Sequence, residues 1–306
     1  MKFLSLVAAL LFEQLWPLRR GNRVYQWFGS YAGAIEHYVN GGNYNHGVIG
    51  WVLAVLPVVV AAMVIHALLT AVSPLLGWAW SLAVLYLTMG FRQFSHYFTE
   101  ILLALRENRL DAARADLSSW SGDSTAEFSS GEIATVAIEQ GLIGSHRHVF
   151  GPIAWFIVFG PAGAIAYRMA GMLGEQWGRR TDAEFGAFGQ FAQRVFYWFD
   201  WLPARVTAAS FAIVGNFEDA VYCWRTQALG WADRMEGVIL AAGAGAVGVR
   251  LGDSLHEQGS VRLRPEMGMG ETADVDCMQS TVGLIWRALV LWMFLLFVVT
   301  VAYALG

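Results

Sequence analysis

Residues 48–91 read VIGWVLAVLPVVVAAMVIHALLTAVSPLLGWAWSLAVLYLTMGF and hold no Asp, Glu, Lys or Arg. From Val48 to Val72 only His66 and Thr70 interrupt the apolar run, with Pro57 as a kink point. Ser73-Pro74 then turns the chain into a second apolar run, Leu75 to Phe91. A bilayer span needs about 20 mostly apolar residues. The pair therefore reads as a helical hairpin in a membrane, and the rest of the chain repeats the theme. Gly283 to Leu305 is a third span whose one charge, Arg287, lies near its start and can snorkel. Val149 to Met169 is a fourth, with a kink or break expected at Gly160-Pro161. Phe3 to Leu18, interrupted by Glu13 and lacking a small-x-small cleavage site before Arg19-Arg20, reads as an uncleaved short span or interfacial helix. Leu202 to Val214 and the small-residue run Val238 to Val249 are too short for confident spans. The small residues of the second suit close packing or a re-entrant piece.

Composition agrees. Of 306 residues, 56% are hydrophobic and 14% charged, against roughly a quarter charged in soluble domains. A cytosolic enzyme is thereby excluded, and so is disorder. The net charge of -4 and the lack of a basic run argue against nucleic acid. Lys2 is the only lysine. Two distant cysteines, Cys223 and Cys277, make neither a disulfide framework nor a four-cysteine zinc site. Orientation does not follow from charge. Arg19, Arg20 and Arg23 place the first loop in the cytoplasm, while Arg168, Arg179, Arg180 and Arg194 compete unless one run is re-entrant.

The expected architecture is all-α and polytopic: about four to five transmembrane helices plus amphipathic and re-entrant pieces. Four regions follow: 1–91, an N-terminal membrane region with the hairpin; 92–148, a polar helical insertion; 149–237, a membrane helix and an aromatic-rich interfacial segment; and 238–306, the small-residue segment and final span. The insertion is read as a helix continuing out of the Leu75–Phe91 span, then a second helix beginning at Ser129, which has capping-box spacing to Glu132.

Candidate ligand-binding residues lie at the polar edges. Arg92, His96 and Glu100 share one helical stripe at i, i+4 and i+8, fit either to bind an anion or relay a proton or to form an interfacial salt-bridge ladder. His146 and His148 flank Arg147 and would co-ligate a metal only on extended backbone, so they read as interfacial cations. Asp200 with Arg205 or Arg194 is a candidate buried ion pair, and Pro203 is placed at the first turn of a helix. The rings around Asp200 suit an interfacial aromatic belt. No Walker P-loop, GxSxG, HExxH or CxxC occurs, and Gly252-Asp253-Ser254 reads as a turn.

FDWLPARVTA, at 199–208, resembles the N-W-I-P-A-R-L-T-A motif of CobD/CbiB membrane proteins. Four more segments resemble that family in order: ALRENRLDAARADLSSWSGDST (104–125), IATVAIEQ (133–140), GPIAWFIVFGPAGAIAYRM (151–169) and AAGAGAVGVRLGD (241–253). The resemblance implies an adenosylcobinamide-phosphate synthase, which joins an aminopropanol-type amine to a corrinoid carboxylate at the expense of ATP. It keeps Glu139, Arg168, Gly189, Arg194, Pro203 and Arg205. It departs where carboxylates are expected: Gly171 to Gly174 replace N-T-x-D, Phe196 and Tyr197 replace paired aspartates, Leu142 to Gly144 replace A-E-N, Asp200 replaces asparagine, and the N-terminal G-D-P and H-P-V motifs are missing. LLFEQLWPL at the N-terminus, Asp200, and the stretch holding Arg92, Tyr97 and Leu102 resemble instead the AmpE branch, described as inner-membrane sensors linked to cell-wall recycling.

Two functions are therefore expected. The first is a divergent AmpE-like sensor, modulator or ligand-binding protein of the bacterial inner membrane. It would have no resident cofactor or metal and would bind an amphiphilic, corrinoid or cell-wall-derived ligand near Arg92, Glu139 and Arg205. The alternative is the ATP-dependent amide-forming synthase itself, with Glu139, Asp123, Asp200 and Arg194 contacting magnesium and ATP. Partners are the lipid bilayer and, as an open question, a second copy; nucleic acid is excluded.

Overall fold

The computed structural model describes residues 2–16, 23–180, 182, 185–252, 254–257 and 260–305. Arg19, Arg20 and Asp253 lie outside them. Twelve α-helices are described: α1 (Lys2–Leu15), α2 (Arg23–Val39), α3 (Tyr44–Val72), α4 (Pro74–Thr88), α5 (Phe91–Arg106), α6 (Leu110–Ser121), α7 (Ser130–Ser145), α8 (Gly151–Gln176), α9 (Phe188–Val214), α10 (Phe217–Gln227), α11 (Arg234–Val247) and α12 (Val275–Leu305). Among the described residues three helical runs are long and apolar enough to cross a membrane: 44–72, 130–176 and 275–303. α4 is apolar but shorter. The chain is an all-helical polytopic membrane protein.

The chain divides into two compact units. The first comprises residues 1–90, 147–203 and 303–306. There α3 runs for 29 residues, about 43 Å at 1.5 Å per residue. Ser73 accepts from the Leu75 N–H and Pro74 opens α4, so the foreseen hairpin turn is a conventional helix start. α8 carries the expected break: Gly160 has φ 66° and ψ −150°, and Pro161 supplies no N–H. A cluster of Phe28, Val55, Leu173, Trp177, Phe185 and Phe188 forms its core.

The second unit comprises residues 91–146 and 204–302. Its centre is α11, whose stretch from Gly237 to Ala246 is buried throughout. Small residues allow this: a Cβ at Gly243 would strike Leu142 of α7, and one at Gly245 the Asp219 carbonyl of α10. Residues 249–272 form five short strands that the sequence reading did not anticipate. β1 (Val249–Leu251) lies between β4 (Met267–Gly268) and β5 (Glu271–Thr272). β2 (Leu255–Glu257) and β3 (Ser260–Arg262) pair antiparallel, Leu255 opposite Arg262. Gly and Pro punctuate this segment too densely for helix.

Two expectations are corrected. The insertion helix does not continue from the preceding span. Met89 is extended at φ −80°, ψ 159°, and the Gly90 N–H donates to the His148 carbonyl. A second break follows at Asn108, with φ 55°. Pro203 does not begin a helix but sits inside α9, so Asp200 lies mid-helix and away from a positive helix end. Residues 146–150 form a π-helical turn rather than extended backbone, which removes the geometry a shared metal would need. The foreseen capping box is present, with Ser129 and Glu132 bonded in both directions.

Candidate functional site

Glu139 organises the second unit. It lies on the buried face of α7, where Ile133, Ala134, Ala137, Ile138 and Leu142 supply the apolar packing. Its Oε1 accepts from the Gly252 backbone N–H at 3.0 Å, and its Oε2 from Arg264 Nη1 at 2.6 Å. The side chains are 4% and 11% exposed, so this is a buried ion pair. The Trp231 ring lies 5.8 Å from the Arg264 guanidinium carbon, and Trp231 Nε1 in turn donates to Glu236. Gly252 has φ +77°, and a Cβ there would meet the Pro265 carbonyl. Glycine is thus required where the loop presents its N–H to Glu139.

Two smaller constructions stand in the same unit. Glu132 accepts from both the backbone N–H and the ring of His256, so the start of α7 is tied to β2. His146 shares a 3.0 Å hydrogen bond with Thr207. Arg205 donates to the Met235 sulfur. Asp123 is exposed in the loop after α6. His96 and Glu100 do pair, at 3.3 Å, with exposures of 62% and 43%. That is an exposed pair on the helix surface rather than a recessed site, and Arg92, also exposed, shares the helix.

In the first unit Asp200 is buried and accepts from the Tyr167 hydroxyl at 2.7 Å. Arg168 bonds His148 at 2.9 Å and lies 5.0 Å from the Tyr25 ring centroid. Arg147 pairs with Glu175 and lies over Phe196. Arg194 contacts Tyr44 through both its hydroxyl and its ring. Within the described residues, then, Asp200, Tyr167, Arg168 and His148 form one constellation, and Glu139, Gly252 and Arg264 another.

Sequence reasoning missed Tyr167, Gly252 and Arg264. Arg264 followed by Pro265, in a polar loop that no helix needs, was the available signal. Gly252 was passed over as a turn residue.

Magnesium and ATP do not find a ready cage. No group of three His, Cys, Asp or Glu fit to hold a metal occurs among the described residues. Glu139 is already neutralised by Arg264, and Asp200 already accepts from Tyr167. A magnesium ion at Glu139 would have to displace a guanidinium at hydrogen-bond distance.

The fold and this buried carboxylate–guanidinium pair define a class, polytopic helical membrane proteins with charge held away from water. The chain belongs to the CobD/Cbib protein family, whose profile matches residues 6–303. It is 33% identical over 298 residues, 96% of each chain, to the cobalamin biosynthesis protein CobD of Stutzerimonas stutzeri. It is 33% identical over 239 residues to the CobD of Chromobacterium violaceum, covering 78% of this chain and 76% of the other. A protein named cobalamin biosynthesis protein CbiB, from Salmonella typhi, is 25% identical over 249 residues, 79% and 77% of the two chains. No solved structure matches the chain. Among these relatives the AmpE-like wording of the sequence finds no counterpart, and the cobalamin names favour the synthase reading over the sensor.

Proposed function

We propose that this chain acts in cobalamin biosynthesis as a multi-pass inner-membrane synthase that forms an amide between an amine and a corrinoid carboxylate at the expense of ATP. The relatives' names support the pathway, and the buried Glu139–Arg264 pair is the observation that carries the chemistry. Amide formation needs the substrate carboxylate activated. A phosphoryl or adenylyl group from ATP takes one carboxylate oxygen and leaves with it as the amine attacks. A guanidinium is suited to both anions in that sequence, because its planar fork matches carboxylate and phosphate oxygens. Glu139 positions Arg264 and the Gly252 loop. A buried pair of this kind contributes little to stability in its own right, since desolvation offsets the attraction. Its presence is better accounted for by what it binds.

The test is direct. Purified protein in detergent, given cobyric acid, an aminopropanol-type amine and magnesium-ATP, yields the amide by mass spectrometry. Glu139→Gln lowers the rate by about a hundredfold or more, the scale seen when one preorganised electrostatic group is lost. A folded wild-type protein that makes no ATP-dependent amide, and fails to restore corrinoid-dependent growth in a strain lacking the synthase, overturns the proposal.

A further inference from the structure

The first unit holds a cavity of about 220 Å³ that the amide-forming reading does not use. It lies among α1, α3, α4 and α8, beside the Ser73-Pro74 turn and the Gly160-Pro161 break. Three features of its wall need explaining. First, Pro161 has no N–H, so the Ile157 carbonyl four residues earlier loses its helical donor. Lys2 Nζ takes that carbonyl at 2.7 Å. An ammonium has three N–H bonds, and this contact uses one. Second, two ring nitrogens of the lining residues, His66 Nδ1 and Trp78 Nε1, are buried without a hydrogen-bond partner among the described residues. Buried polar atoms normally have partners, and exceptions point to a missing one. Third, no carboxylate lines the cavity, so Lys2 sets its sign.

The surroundings narrow the ligand. Leu4, Leu75 and Phe159, chain neighbours of lining residues, are 59%, 70% and 64% exposed. Exposed apolar side chains beside a membrane turn face acyl chains rather than water. A small free anion would use Lys2 and leave the apolar lining of Pro74, Trp78, Phe156 and Pro161 unused. A lipid uses both.

We infer that this cavity binds one anionic phospholipid, with its phosphate on Lys2 and the ring nitrogens of His66 and Trp78 and its acyl chains along the apolar margin. The lipid fills the cavity beside the α8 break, where Lys2 already satisfies the Ile157 carbonyl and keeps N–H bonds for the phosphate. It thereby braces α1 against α8.

Native mass spectrometry of the intact chain tests this. The protein is released from detergent after equilibration with phosphatidylglycerol or phosphatidylcholine, and separately with inorganic phosphate. Phosphatidylglycerol is expected to bind about tenfold more tightly than phosphatidylcholine, which offers the same phosphate but sets a trimethylammonium beside the Lys2 ammonium. Lys2→Gln lowers that preference several-fold and Trp78→Phe weakens the binding of both lipids several-fold, whereas Lys2→Arg keeps the preference and so shows that the fold tolerates change there. Equal binding of the two lipids to the wild type, or an unchanged preference in Lys2→Gln together with unchanged binding in Trp78→Phe, overturns the inference. Competition by inorganic phosphate at concentrations equal to the lipid also overturns it, because the ligand is then a free anion. None of these readouts depends on amide formation.

Discussion

Glu139 and Asp200 are equally buried, each 3% exposed, and the protein treats their charges differently. Glu139 meets a guanidinium supplied by a loop 125 residues further along, and a backbone N–H from the same segment. Asp200 meets the hydroxyl of Tyr167, 33 residues before it on a neighbouring helix. A guanidinium cancels a carboxylate's charge. The Tyr167 hydroxyl donates to Asp200 from a neighbouring helix, and Arg147 and Arg168 are close enough to act on that hydroxyl electrostatically. The first arrangement depends on a long loop folding correctly and can be opened by moving that loop. The second is locked into helix packing. The proposed function is placed at Glu139 because its partners come from a loop segment rather than from a neighbouring helix.

The contrast breaks most visibly at Arg264. Arg264→Met leaves Glu139 as a buried charge without its counterion, and is expected to cost about 3–5 kcal/mol. Chemical unfolding in detergent measures it, and adding Glu139→Leu should recover most of the loss while leaving amide formation abolished. A cost below about 1 kcal/mol for the single change would show that Glu139 is not held by this pair.

Tyr167→Phe probes the other side. It removes one hydrogen bond to a buried carboxylate and is expected to cost about 1–3 kcal/mol in the same unfolding assay. A loss equal to that of Arg264→Met would erase the distinction between the two carboxylates.

The smallest effect is at Asp274, which precedes α12 and accepts from the Cys277 N–H at 2.7 Å. That bond holds its carboxyl below the ordinary value of 3.8. A depressed carboxyl contributes stability that is fully present above the unfolded value and is lost as pH falls through the folded one. Asp274→Ala should therefore cost about 1 kcal/mol at neutral pH. The variant and the wild type should converge in melting midpoint as pH falls well below 3.8 and through the depressed folded value. An undiminished gap at that pH would remove the capping role.

Length and hydropathy alone determined that this chain enters a membrane and that most of it is helical. The hairpin turn at Ser73-Pro74, the break at Gly160-Pro161 and the cap at Ser129 were legible because each is decided within a few residues by backbone chemistry. Glu139 and Asp200 were legible as candidates through a resemblance of motifs. Their partners were not. Arg264, Gly252 and Tyr167 reach them across 33 to 125 residues, and nothing in a one-dimensional pattern records which polar group meets which. The continuous helix through Pro203 had the same origin. A proline marks a helix start by local preference, but inside a bundle neighbouring groups take over the hydrogen bond it removes, and the helix continues. Likewise 241–249, AAGAGAVGV, was apolar enough for a membrane piece, and only packing against α7 and α10 buried most of it inside the protein. Composition sets how much surface must leave water. Tertiary structure decides whether lipid or protein covers it, because that depends on which faces meet.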